Sequence, residues 1–262
     1  MQWLVQNSGL TLDALDRNTA PLVEAIQKRG MPLFAVGVSP FTGQVTNLEE
    51  IDLSVPTMFY GSNRLVELAP ALASPGAFFK KKWFDPGYPV GKNPFILNIE
   101  QTRTTAGQLR RTWIKEPIFI KSADPKVLTG MVIEPDERDQ WTIEYGHLDG
   151  NEVLMTSRAQ KIDQEWRFFI VNNKVVAGSQ YRLDGILRIR EPIPQHVWDC
   201  ARAYAECWKP CSTIVMDMCR IGEETNESLF ILEFNCINSS GFYNCDVGAI
   251  VDALEELLVP VV

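Results

Sequence analysis

Two strand-like segments near the C-terminus are apolar enough for burial, yet both carry acidic side chains. Ile214-Val215-Met216-Asp217-Met218 sets one carboxylate among four large apolar residues, and Phe230-Ile231-Leu232-Glu233-Phe234-Asn235 ends with Glu233 and Asn235 two positions apart. Side chains alternate along a strand, so Glu233 and Asn235 share a face. Burying a carboxylate without a partner is costly. The pattern therefore demands a hairpin, turning through the polar residues 222–228, that aims its oxygens at a cation or at solvent. Three oxygen ligands on adjacent strands suit Mg²⁺, with phosphate oxygens and water completing an octahedron. A solvated sheet face would tolerate the same residues, and that alternative stays open here.

Composition narrows the setting. The chain has 262 residues, 45% hydrophobic and 22% charged, with 25 Lys and Arg against 33 Asp and Glu. That is globular composition with a core large enough to need no staples. A net charge of −8 disfavours nucleic acid and anionic membranes as partners of the whole surface. The most apolar stretches fall short of the roughly 20 residues of a membrane span, and no basic-then-apolar leader opens the chain, so a soluble cytoplasmic protein is expected. All six cysteines lie between 200 and 245 without a CxxC pair, and His147 and His196 are the only histidines. Packed thiols explain this better than zinc or a Cys–His nucleophile.

Charge is unevenly distributed. Between Lys80 and Lys126 stand ten cations and four anions. A basic block in an acidic chain suits a small anionic ligand such as a nucleotide phosphate. Phe119-Ile120-Lys121 reads as a strand ending in a lysine, followed by a turn holding Lys126, Thr129 and Gly130. Such a corner can cradle phosphates through cations and backbone N–H groups. It is not a P-loop, since GxxxxGK[ST] is absent. Further on, Glu165 and Arg167 share a strand face, and Arg182 ends the hairpin partner. Arginines can clamp carboxylates or phosphoryl groups, or simply pair across strands.

Element patterns predict the organisation. Residues 2–6, 32–38 and 57–60 read as buried strands, and 12–29 as a helix ending at Gly30, which together suggest a small parallel α/β unit. Residues 70–91, rich in Pro, Gly and aromatics, read as linker and loop. Residues 104–113 read as helical. Strands follow at 117–121, 130–134, 141–145, 152–157, 167–171 and 174–181, with a turn at Asn172-Asn173. A helix at 195–208, strands at 213–220 and 229–235, and a helix at 247–258 complete the chain.

These elements, in this order, resemble the ATP-grasp superfamily over roughly residues 95–258, and more closely a divergent clade of it found in phage and bacterial proteins. The resemblance implies an ATP-grasp fold, two α+β subdomains gripping ATP (76–150 and 151–262), preceded by a small parallel α/β domain (1–75). Lys121 then matches the strand-end lysine that contacts ATP phosphates, with Ser122 where a proline usually follows. Lys126 to Gly130 stands at the phosphate-covering loop, with less glycine and serine than usual. Ser157, Arg158 and Ala159 fall at the hinge whose backbone holds adenine, and Glu165 where a ribose-binding acid sits. Asp217, Glu233 and Asn235 match the magnesium ligands. Arg182 and Arg167 match groups facing the transferring phosphoryl, and Lys92 is the candidate for an earlier phosphate lysine.

The implied chemistry joins a carboxylate to an amine. ATP phosphorylates the carboxylate, and the nucleophile displaces phosphate from the acyl phosphate. ATP and Mg²⁺, two ions, are the implied cofactors, with an amino acid or peptide as substrate and a homodimer as a possible assembly. A phosphotransferase of the same fold and a nucleotide-binding protein without catalysis are the alternatives.

Overall fold

The computed structural model describes residues 1–7, 18–39, 42, 44–49, 51–62, 65, 75–76, 93–97, 100–122, 127–190, 192–222 and 228–258. The start of the first expected helix, most of the expected linker, Lys92, Lys126 and the centre of the 222–228 turn lie outside these residues. Three sheets carry the rest. The leading sheet contains β1 (Gln2–Gln6), β2 (Leu33–Val38), β3 (Val45–Thr46) and β4 (Thr57–Tyr60), in the order β3-β2-β1-β4. Both neighbours of β1 run parallel to it, and β3 pairs antiparallel at the edge. Helix α1 (Thr19–Lys28) buries Leu22, Val23 and Ile26 and is followed by Gly30 at φ +67°, a left-handed residue past the helix end that suits glycine.

The second sheet has the order β5-β8-β6-β7, from β5 (Thr102–Thr105), β6 (Ile118–Ser122), β7 (Met131–Ile133) and β8 (Val153–Arg158), all antiparallel. Ile118 and Ile120 of β6 turn to a core with Leu109, Trp141 and Leu154, built with α2 (Ala106–Arg111) and α3 (Arg138–Glu144). The alternate residues, Phe119 and Lys121, face the other way and line a cleft.

The third sheet is antiparallel with order β11-β10-β9-β12-β13: β9 (Ile162–Val171), β10 (Lys174–Leu183), β11 (Ile186–Arg190), β12 (Ile214–Ile221) and β13 (Leu229–Asn235). Asn172 and Asn173 both have positive φ, the conformation a two-residue hairpin turn requires. Period two decides what each face does. Trp166, Phe168, Ile170, Met216 and Met218 pack under α4 (Gln195–Glu206) through Val197, Ala201 and Tyr204. On the opposite face, Phe169, Val171 and Val215 pack against α5 (Val247–Leu258) and against Trp3, Leu22 and Tyr60 of the leading unit. Each such large side chain removed from water is worth roughly 1.5–3 kcal/mol. The same face continues through Glu165, Arg167 and Asp217, which line the cleft instead.

Residues 141–145, expected as a strand, lie largely in α3. Trp-Thr-Ile-Glu-Tyr alternates like a strand, but helical N–H bonds run from Trp141 to Glu137 and from Tyr145 to Trp141. Trp141 and Tyr145 stack on one side at 5.8 Å, while Ile143 is left 83% exposed. Burial of one tryptophan outweighs β-propensity over so short a segment. The expected helix at 104–113 divides into β5 and α2 at Thr105, whose side chain forms a capping box with Gln108. The edge strands β3, β5 and β11 are additions to the expected set. Among the described residues no helix is long and apolar enough to cross a membrane.

Candidate active site

The cleft floor is set by strand register. Asp217 of β12 lies opposite Arg167 of β9 on one side and Glu233 of β13 on the other. A bulge follows, since Met218 pairs with Ile231, leaving Leu232 as the extra residue. Asp217 is 1% exposed. Asn235 donates from Nδ2 to Asp217 Oδ2 at 3.0 Å and to Glu233 Oε1 at 2.9 Å, bridging the two carboxylates. Burial and then the Asp217 charge push the Glu233 carboxyl above its usual range, while the Asn235 hydrogen bond and Lys121 oppose the shift.

Arg167 closes the other side. Its Nε and Nη2 donate to Asp217 Oδ1 and Oδ2 at 2.8 and 2.7 Å, and Nη1 reaches the Gly241 carbonyl at 3.2 Å. Tyr181 and Tyr243 stack at 4.9 Å, and the Arg167 guanidinium carbon lies 5.5 and 5.2 Å from their ring centres. Tyr243 has φ +53°, an uncommon conformation for a residue with a side chain. Its neighbour Phe242 anchors that turn by stacking on Tyr60 at 5.2 Å and Phe169 at 5.3 Å.

A second bulge, at Tyr181, lets two successive residues of β10 serve one carboxylate. The Tyr181 hydroxyl donates to Glu165 Oε2 at 2.6 Å, and Arg182 Nη1 donates to Glu165 Oε1 at 3.3 Å. Burial, then the Asp217 and Glu165 charges, raise the Tyr181 phenol far above its ordinary value, so it stays a donor. The Arg182 side chain is 46% exposed.

Lys121 enters from the second sheet. Burial lowers its ammonium below the ordinary lysine value, and the Glu233 charge acts against that shift. Beside it, Gly130 lies so close to Phe119 that an added Cβ would come within 2.7 Å of the ring. The cavity of about 590 Å³ is lined by Lys121, Thr129, Gly130, Glu165, Arg167, Arg182, Asp217, Glu233 and Asn235. It thus gathers nine of the expected site residues, from two sheets.

The others fall elsewhere. Ser157 and Arg158 border a separate groove over the second sheet, lined also by Thr102, Trp113 and Thr156. The Ala159 N–H is bonded to the Pro117 carbonyl. Arg158 does border an apolar recess of about 300 Å³ with Phe119, Val132, Ile162 and Leu232, and Phe119, Gly130, Ile162 and Leu232 line the cleft as well. Sequence reasoning misses Tyr181, Gly241 and Tyr243. Tyr181 adjoins Arg182 in Gln-Tyr-Arg, which is a usable signal. Nothing in Gly-Phe-Tyr-Asn marks Tyr243.

The donor set fits a hard cation. Two carboxylates and an amide on adjacent strands offer oxygen, the ligand Mg²⁺ takes. Among the described residues no group of three His, Cys, Asp or Glu side chains is placed to hold a metal, so the set reaches three only through Asn235. All six cysteines are free thiols. Residues 99–253, more than half of the chain, match the ATP-grasp domain, R-two-K clade family 2. The chain belongs to this ATP-grasp family. No curated protein matches the sequence.

The ATP-grasp fold recurs in solved structures. D-cycloserine synthetase DcsG is similar at TM-score 0.60 and 11% identity, over 99% of this chain and 100% of that one. A RimK domain ATP-grasp protein from Sphaerobacter thermophilus DSM 20745 reaches 0.62 at 14% identity, over 96% and 98%. The ATP-grasp ligase PsnB, complexed with a phosphomimetic variant of a minimal precursor, Mg and ADP, reaches 0.59 at 13%, over 98% and 97%. At these identities the likeness is one of fold.

Proposed function

We propose that this ATP-grasp protein is an ATP-dependent carboxylate–amine ligase that acts on an amino acid or peptide through an acyl phosphate. The observation carrying this reading is the facing arrangement in one cleft: Lys121 on one wall, Asp217, Glu233 and Asn235 on the floor, and Arg182 at the open side. The apolar recess beside Phe119, Ile162 and Leu232 has the chemistry for an adenine ring. Lys121 pairs with phosphate oxygens, and Thr129 and Gly130 line the same corner. Asp217, Glu233 and Asn235 hold Mg²⁺, which when bound neutralises phosphate charge. Arg182, open to the cleft, donates to the carboxylate that is phosphorylated and to the acyl phosphate formed from it, where charge-assisted hydrogen bonds lower the barrier.

No side chain needs to become a covalent nucleophile in this scheme. That agrees with a Cys219 thiol pushed up to about 12 by burial and by Glu165, and inert at neutral pH. The peptide assignment draws on PsnB, which has been solved with precursor peptide PsnA2 and AMPPNP. The test is ADP and phosphate release from Mg-ATP over a panel of amino acids and short peptides, with mass analysis of products. Amide-bonded product with stoichiometric ADP and phosphate is expected. A stable phosphorylated product would make the protein a phosphotransferase, and ATP that binds without turnover on any substrate would make it a binding protein.

A further inference from the structure

We infer that Arg167 is a positioning residue that occupies the metal carboxylate as a resident counter-ion, so that a divalent cation binds tightly only together with the nucleotide. This inference rests on the reading of Asp217, Glu233 and Asn235 as metal ligands. Both oxygens of Asp217 accept from the Arg167 fork, at 2.8 and 2.7 Å, and Oδ2 also accepts from Asn235. A carboxylate in a bidentate guanidinium contact already has its charge neutralised, and a planar fork matches it with two parallel bonds. A cation approaching Asp217 must therefore share or displace Arg167.

Arg167 is built to hold this position. The Gly241 carbonyl takes a third N–H, and the stacked rings of Tyr181 and Tyr243 flank the guanidinium. Glu233, opposite Asp217 on β13, has no such cation within ion-pair distance among the described residues, where it accepts from Asn235. The site thus presents one carboxylate already paired and one not, and a bare metal ion meets competition that phosphate oxygens can relieve. Phosphates bring oxygen ligands to the ion and acceptors to a displaced guanidinium at the same time.

The test is Mn²⁺ binding to the full chain, counted by electron paramagnetic resonance with and without ADP, for wild type and Arg167→Met. Without nucleotide, Arg167→Met should bind Mn²⁺ at least about tenfold more tightly than wild type, the worth of one charge-assisted hydrogen bond. With ADP present the gap should narrow. Added Mg²⁺ should also raise the melting temperature of Arg167→Met more than that of wild type. Equal or weaker Mn²⁺ binding by Arg167→Met without ADP would overturn the inference while leaving the metal site intact. Failure of wild type to bind Mn²⁺ even with ADP would overturn the metal reading itself. If Arg167→Met does not fold, the Arg167 Nε–H resonance of ¹⁵N-labelled wild type decides. Loss or displacement of that signal on adding Mg-ADP is expected, and an unmoved signal refutes displacement.

Discussion

Lys121 stands near the end of β6 and lines a cleft whose opposite wall carries Glu233. Lys121→Met keeps the stem and deletes the charge. ATP affinity should fall by roughly tenfold or more, equal to about 1.4 kcal/mol, while the melting temperature without nucleotide should hold or rise slightly near neutral pH, where burial disfavours the charged lysine; calorimetric titration and thermal denaturation check both. The pH dependence has a definite sign. A lysine whose folded pKa is lowered binds its proton less tightly when folded, so its contribution to stability improves as pH rises from that lowered value toward 10.5. Wild type should therefore gain on Lys121→Met over that window, and a difference that shrinks or stays flat would contradict the burial of this cation. Single residues such as Asp217, Glu233 and Lys121 are legible in the sequence because a charge inside or ending an apolar strand needs an explanation. Tyr243 is not, because its place depends on a turn anchored by Phe242 against two other elements.

Among elements, β10 shows how close packing fixes the site's frame. Gly178 of β10 faces Phe168 of β9, which meets Trp198 of α4 edge-on at 5.1 Å. A Cβ on Gly178 would stand 2.6 Å from the Phe168 ring and 3.1 Å from Trp198. Gly178→Ala should destabilise the protein by about 1–3 kcal/mol, the usual cost of overpacking; denaturant titration measures it, and an unchanged midpoint would show that the Phe168 ring shifts aside freely. The long strands and the helices at 195–206 and 247–258 are readable from periodicity, because their apolar positions repeat over several turns or pleats. The seven-residue α3 and the short edge strands are not, since a segment that brief satisfies either period and its packing partner decides.

At the scale of the molecule, the leading sheet has two apolar faces: Leu4, Val36, Ile51, Phe59 and Leu65 form a cluster of the unit's own, and the other face is shared. Trp3, Leu22, Ile26 and Tyr60 share one apolar cluster with Phe169, Val215, Phe242 and α5. Backbone and side-chain bonds between Gly61 and Asn238, at 2.6 and 3.1 Å, and from the Tyr60 hydroxyl to the Ser240 carbonyl at 3.0 Å, tie the leading sheet to the loop that carries Gly241 and Tyr243. Composition marks residues 70–91 as linker, but it cannot register packing between residues as distant as Tyr60 and Phe242. Phe242→Ala should cost about 3–5 kcal/mol, as for other buried aromatics. The loss should appear in a single cooperative transition reported alike by fluorescence and circular dichroism; two separated transitions would show that the leading unit folds alone.

The proposed role of Asp217, Glu233 and Asn235 as the metal end of a nucleotide cleft is decided by calorimetric titration of ATP, with Mg²⁺ and with EDTA, into wild type and into the double variant Glu233→Gln, Asn235→Ala. Both changes sit at the end of β13 and leave its apolar residues in place. Wild type should bind ATP at least about tenfold more tightly with Mg²⁺ than without, and the double variant should lose that dependence while keeping its far-ultraviolet circular dichroism. Equal Mg²⁺-dependent affinity in the two proteins would place the metal elsewhere and contradict the account.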